Sequence, residues 1–339
     1  MRKKMLAIML AVTTVFSLSA CGSKTSDNNT QTNAKNETSD NGSSDGKKYS
    51  IGICQLVQHD ALDAATKGFK EAVEAGLGKD NVTFDEQNAQ GDSIVCSTIM
   101  NNFTSANVDL IMANATPSLQ AAAAATNTIP ILGTSVTEYG VALEIKDFNG
   151  TVGGNISGTS DLAPLDGQAD MLHDLFPDAK KVGLLYCSAE ANSQYQVDTI
   201  KTYLEKYGYT CTYYAFSDSN DLSAIATNAA SESDVIYIPT DNTAASNAEL
   251  INNICLPAKT PIIAGEEGIA KGCGVATLSI SYYDIGYATG EMAVKILKDG
   301  EDISTMPIQY APKFTKKYNE KICNELGITN LDGYEAIAE

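Results

Sequence analysis

Short runs of hydroxyls, amides and carboxylates recur along the 339-residue chain, each directly after an apolar stretch. Gln58, His59 and Asp60 follow the first stretch, and Asn114, Ala115, Thr116 and Pro117 follow a later one. Thr134, Ser135, Val136, Thr137 and Glu138 form a third run, Ser188 to Ser193 a fourth, and Thr240, Asp241, Asn242 and Thr243 a fifth. Glu266 and Glu267 form the last. Thr116, Asn192 or Ser193, and Asn242 stand where helices should begin. Backbone N–H groups are unpaired there and the helix dipole is positive, so such a spot can hold a carboxylate without Lys or Arg. Asp241 and the Glu266–Glu267 pair could face an ammonium group, so the set suits a zwitterion. Any one run reads equally well as helix capping, the paired glutamates as a solvated turn, and His59 as a cap.

Other chemistries find no support in the residues. No G-x-S-x-G elbow, Walker A loop or H-E-x-x-H helix is present. The Gly-rich stretch from Gly150 to Gly158 does not follow a first strand, as a phosphate cradle should. The two histidines, His59 and His173, are far apart, which argues against a His-rich zinc site; His173 reads as a surface residue of an amphipathic helix. Forty-two acids against 23 Lys and Arg give a net charge of −19, which argues against a nucleic-acid partner. No catalytic residue, cofactor or metal is therefore expected, and the chain is not expected to be an enzyme.

The polar runs need a scaffold that brings them together. With 43% hydrophobic residues, the chain can fill sizeable cores, and its length suits about two domains. From Tyr49 onward, apolar strands alternate with amphipathic helices. The pattern predicts strands at 49–57, 82–88, 108–113 and 129–133, with helices at 60–77, 93–106 and 117–126. Thr116 is expected to cap the last of these, with Pro117 at its first position. After 150–158 the alternation resumes: helices at 164–176, 193–207, 221–231, 243–256, 282–298 and 315–326, and strands at 181–187, 210–216, 235–239, 261–265, 275–279 and 306–310. Continuous apolar strands between helices imply parallel sheets covered on both faces. Two such runs, split near Asp161, imply an α/β fold of two doubly wound lobes. Ligands of open parallel sheets bind beyond the carboxyl ends of the strands, which is where the polar runs fall.

The N-terminus reads as an address. Arg2, Lys3 and Lys4 precede an apolar run from Met5 to Leu18, then Ser19, Ala20 and Cys21, the layout of a secretory signal peptide. The run is too short to span a bilayer. Its end resembles a bacterial lipobox, which implies cleavage after residue 20 and a lipid on Cys21. Residues 21–48 are polar and small, and read as a flexible tether. Cys54, Cys96, Cys187, Cys211, Cys255, Cys273 and Cys323 remain. An odd number cannot all pair within one chain; free buried thiols are the simplest reading, with a bridge among some of them left open.

The order of segments resembles the type I periplasmic substrate-binding proteins of ABC importers, and within them the branch with tryptophan- and tyrosine-binding lipoproteins. The resemblance runs from about Tyr49 to Ile328. It is carried by IGICQLVQHDALDAATKGF (51–69), NAQGD (88–92), ATPSLQA (115–121), SVTE (135–138), NISGTSD (155–161), VGLLYCSAEANSQYQV (182–197), IYIPTDNTAAS (236–246) and GEEG (265–268). It implies that Ser135, Thr137, Ser160, Asp161, Ser188, Glu190, Ser193, Asp241 and Asn242 line a cleft. His59, Thr116, Pro117, Val136 and Glu266 join them from the strand-end runs. The chain departs from many relatives at His59-Asp60, where His-Pro or His-Glu is common, and at Glu138-Tyr139, where Asp and Pro are usual.

Taken with the alternation, the resemblance implies an N-terminal lobe of 49–160 plus 281–307 and a C-terminal lobe of 161–280 plus 308–339. Hinge strands would lie near 155–161, 279–283 and 308–311. The expected protein is a monomeric, lipid-anchored, extracytoplasmic solute-binding protein that hands an amino acid, most plausibly aromatic, to ABC permease and ATPase subunits. Another small solute is the alternative, a branched-chain amino acid, nucleoside or sugar; an enzyme or sensor on the same fold is a more distant one.

Overall fold

The computed structural model describes residues 47–338; the signal peptide, Cys21 and nearly all of the tether lie outside the described residues. The first apolar stretch forms β1 (Tyr49–Gln55), and α1 (Asp60–Leu77) follows, burying Leu62, Ala65, Phe69, Val73 and Leu77 at helical spacing. The N-terminal lobe continues through β2 (Val82–Asn88), α2 (Ser93–Ala106), β3 (Leu110–Asn114), α3 (Thr116–Ala125), β4 (Ile131–Val136), the short α4 (Tyr139–Ala142) and β5 (Ile156–Ser160). The C-terminal lobe runs through α5 (Leu165–Leu175), β6 (Lys181–Cys187), α6 (Ala191–Leu204), β7 (Thr210–Phe216), α7 (Ser219–Glu232), β8 (Val235–Ile238), α8 (Asn242–Ser246), α9 (Ala248–Cys255), β9 (Ile262–Ala264), α10 (Glu267–Gly272) and β10 (Ala276–Ser279). The chain then returns through α11 (Tyr282–Val294) and β11 (Gln309–Tyr310), and ends in β12 (Thr315–Tyr318), α12 (Glu320–Leu326) and β13 (Glu335–Ala336).

Two sheets result. The first has the order β11-β5-β4-β3-β1-β2, with every pair parallel. The second has the order β13-β12-β10-β9-β8-β6-β7, parallel except where β12 runs against β10. Alternation along the central strands feeds two cores per sheet. In the first sheet, Cys54 and Ile111 face the α2–α3 side, while Ile53 and Met112 face the α1–α11 side. The seven cysteines among the described residues are free, six of them buried.

Three differences from the predicted elements have local causes. Residues 315–326 were expected as one helix. Instead Thr315–Tyr318 pairs with β10 from Ala276 to Ser279, and a helix starts only after the Asn319 cap. Four residues with two lysines carry too short a pattern to show period two. The expected helix at 243–256 breaks at Asn247, which leaves the helical region and turns its side-chain amide back to the Thr243 carbonyl (2.8 Å). The last crossing between lobes comes after Tyr310 rather than at 308, because Gln309 and Tyr310 pair with Thr159 and Ser160 in the first sheet.

The three crossings therefore follow β5, β10 and β11. The second feeds α11, which lies against α1 so closely that a Cβ on Gly286 would stand 2.0 Å from the Ala65 carbonyl oxygen. Only glycine allows that approach. The contact fixes the start of α11, and with it Tyr282, beside the crossing after β5.

Candidate ligand cleft

The strand-end runs of both lobes meet in one polar region. His59, just ahead of α1, sits against Asn242 at the start of α8, with Nε2 and Oδ1 3.3 Å apart. The Asn242 amide donates to Glu190 Oε2 (2.6 Å), so its oxygen faces His59. The Nε2 atom must then carry the proton, which leaves Nδ1 a bare acceptor. That Nδ1 is buried with no partner, and burial lowers the His59 pKa, which favours the neutral ring. At the rim, Lys271 on α10 lies 3.8 Å from Asp60.

Four carboxylates are buried in this part of the molecule: Asp161, Glu190, Asp241 and Glu266. No Lys is buried among the described residues, and the only Arg, Arg2, lies outside them. Three of the four are satisfied within their own lobe. Glu190 closes the start of α8, accepting from the Asn242 and Thr243 backbone N–H groups (3.1 and 2.9 Å) and the Thr243 hydroxyl (2.8 Å). Asp241 caps the same helix through Ala244 N–H (2.8 Å) and ties it to the end of β6 through Cys187 N–H (2.6 Å). Glu266 caps α10 through Gly268 N–H (2.6 Å) and Ile269 N–H. Burial pushes both Asp241 and Glu266 up to about 7, and the Glu190 charge adds to the effect at Asp241.

Asp161 differs. It follows β5 directly, and its Oδ2 accepts from the Tyr282 hydroxyl (2.9 Å). Its Oδ1 is buried without a partner. Burial pushes the group up to about 6, against the opposing pull of the Tyr282 and Thr137 hydroxyls. Ser135 Oγ and Asn192 Oδ1 are likewise buried and unpartnered. Ser135 holds φ +54 at a register shift between β4 and β5, a left-handed conformation that is uncommon for a non-glycine residue and clusters at functional sites.

The expected site residues thus take different places. His59, Ser135 and Asp161 offer polar atoms that no protein group uses. Asp241, Glu190 and Glu266 turn inward as caps, whereas Asp161 keeps one oxygen without a partner. Glu267 does face an ammonium group, that of Lys317 (2.7 Å). Ser160 donates to the Thr137 carbonyl (2.8 Å) and holds the two strand ends together. Ser193 is buried in the first turn of α6, beside Asp241. Val136 lies in the N-lobe core. Thr116 does not cap α3: that helix starts at Thr116 itself, Pro117 is its next residue, and Ala115 holds the cap position at φ +89. Ser188 is exposed, donating to the Phe216 carbonyl at the outer edge (3.1 Å).

Sequence reasoning missed Tyr282, since nothing local marks a tyrosine whose partner lies 121 residues away. Asn192 was visible only as a helix start. A groove of about 910 Å³ runs past the hinge between Asp60, Lys271, Tyr283 and Tyr310, but of the expected site residues only Glu266 borders it. The unpartnered polar atoms of His59, Ser135, Asp161 and Asn192 lie outside its lining. Among the described residues no three His, Cys, Asp or Glu side chains converge as metal ligands.

Comparisons with known proteins agree with this architecture. A tyrosine-binding protein of Clostridioides difficile (strain R20291) is 36% identical over 334 residues, covering 97% of this chain and 92% of that protein. A Streptococcus pneumonia ABC domain solved in complex with L-Trp is 32% identical, covers 86% of this chain and 100% of its own, and superposes with a TM-score of 0.81. The ligand-free, open structure of a Clostridium difficile substrate-binding protein with adhesive properties is 38% identical, with 85% of this chain and 99% of that one covered, yet superposes at only 0.65. The family described as ABC transporter substrate binding protein matches residues 50–338, and the chain belongs to that family.

Proposed function

We propose that the protein is the extracytoplasmic capture component of an ABC importer, held to the membrane by a lipid on Cys21, and that it binds an aromatic L-amino acid in the cleft between its lobes. The observation that carries this reading is the surplus of buried acceptors: Asp161 Oδ1, His59 Nδ1 and Asn192 Oδ1 have no donor, and no buried Lys balances the acids. Unsatisfied buried acceptors are costly, and a ligand ammonium group supplies three N–H donors and the missing charge. The Ser135 hydroxyl offers a donor to a ligand carboxylate. Support for an aromatic side chain comes from the relatives, one a tyrosine-binding protein and one solved with L-Trp.

Capture would proceed by hinge closure of the two lobes, with the His59–Asn242 and Asp60–Lys271 contacts forming as the lobes meet. The test is a thermal-shift screen of the purified protein against the amino acids, nucleosides and sugars. A ligand at 100 times its dissociation constant stabilises by about 2.7 kcal/mol. Tyrosine or tryptophan should raise the melting temperature; a shift with sugars or nucleosides alone would refute the reading.

A further inference from the structure

Asp161 and Tyr282 belong to two different crossings between the lobes. Asp161 follows β5 in the first, and Tyr282 opens α11 after the second. Both side chains are buried, and the only hydrogen bond that the Tyr282 hydroxyl donates goes to Asp161 Oδ2 at 2.9 Å. The other carboxylate oxygen is unpartnered. One oxygen is thus held by the hinge, and the other has no hydrogen-bond partner, with the Thr137 hydroxyl nearby.

We propose that Tyr282 is a positioning residue for ligand binding: its hydroxyl holds the Asp161 carboxylate charged and aimed into the cleft, so that a ligand ammonium group on Oδ1 is linked through one side chain to two of the three hinge crossings. The inference rests on the amino-acid reading above. Tyr282 gains its place from α11, whose glycine contact with α1 leaves the helix no freedom to slide. The hydroxyl also lies near Thr240 and Glu266 of the C-terminal lobe, so it stands where the lobes and the hinge come together. A hydroxyl that donates to the ionised form of an acid favours that form. Removing it therefore makes the carboxylate harder to ionise, and binding of a cation then fails at a higher pH. The groups facing Asp161 are Tyr282 from α11, Tyr139 from α4, the Thr137 hydroxyl and Glu266 from the α10 cap. Glu266 titrates in the same range, so the effect is read as a difference between the variant and its parent.

The experiment is calorimetric titration of the purified full chain with L-tyrosine and L-tryptophan from pH 5 to 8, for the parent, Tyr282→Phe, Asp161→Asn and the double variant. Tyr282→Phe should move the acid limb of the affinity profile upward by about one pH unit, since a hydrogen bond of ordinary strength corresponds to about that much. The loss should be about fivefold near pH 6, approach tenfold toward pH 5 and all but vanish by pH 8. In the Asp161→Asn background, Tyr282→Phe should add almost nothing. A Tyr282→Phe loss that is equal at every pH, or that persists in the Asp161→Asn background, would show a merely structural role and overturn the inference, as would an unmoved limb. If Asp161→Asn binds as the parent does, the ammonium assignment falls and Tyr282's role with it. If Asp161→Asn weakens binding and Tyr282→Phe changes nothing, only the inference about Tyr282 falls.

Discussion

Replacing Asp161 by Asn should move stability and affinity in opposite directions. Burial raises the Asp161 pKa from 3.8 to about 6. An acid raised on folding contributes stability that is fully present below pH 3.8 and lost as the pH climbs through 6. At pH 7.5 the buried carboxylate therefore costs roughly 3 kcal/mol, at about 1.36 kcal/mol for each pH unit of the difference. The amide carries no charge, and its oxygen can still accept from Tyr282. The variant without ligand should melt a few degrees higher, with part of the gain lost in desolvating the new NH2 group. Binding should suffer, because a hydrogen bond to a charged partner contributes about 1.5–3 kcal/mol, which corresponds to a ten- to 150-fold rise in Kd. Differential scanning calorimetry without ligand and titration with L-tyrosine and L-tryptophan at pH 7.5 measure the two effects. A variant that melts higher and binds as tightly as the parent would refute the ammonium role. A variant that melts several degrees lower would refute the claim that this carboxylate is held at a cost.

Asp241→Ala should behave in the reverse sense. It removes the α8 cap and the bond to Cys187 N–H and leaves both buried N–H groups without a partner, a loss that offsets the relief of a buried carboxylate raised to about 7, so the melting temperature should fall below that of Asp161→Asn, while ligand affinity drops less than it does there. Cys21→Ala should leave the protein unlipidated and release it from membranes or stop its maturation; a mature, detergent-extractable lipoprotein from that variant would contradict the lipobox.

Much of the fold was legible because the signal was long. An 18-residue helix such as α1 repeats its apolar spacing five times, and buried strands such as Leu110–Asn114 are continuous apolar runs between turn signals. Short elements without a continuous apolar run carried no such signal: α4 and β12 were missed or merged, and the pairing of Gln309 with Thr159 depends on a strand far away in the chain. The site was legible as a set of strand-end loops but not in its roles. Asp241, Asp161 and Glu266 are alike in sequence, acids beside a strand end. What separates them is whether a backbone N–H of the same lobe claims both oxygens, as at Asp241, or a tyrosine of a distant crossing claims only one, as at Asp161. Only assembled geometry shows that difference.

On the reading proposed here, the cleft recognises an amino acid through its ammonium group. Calorimetric titration with L-tyrosine and L-tryptophan, alongside the same molecules lacking the amino group, tests it most directly. Both amino acids or one of them should bind, and deleting the amino group should weaken binding at least tenfold, because Asp161 is then left buried and charged with its Oδ1 unpartnered. Desamino analogues that bind as tightly as the parent amino acids would contradict it.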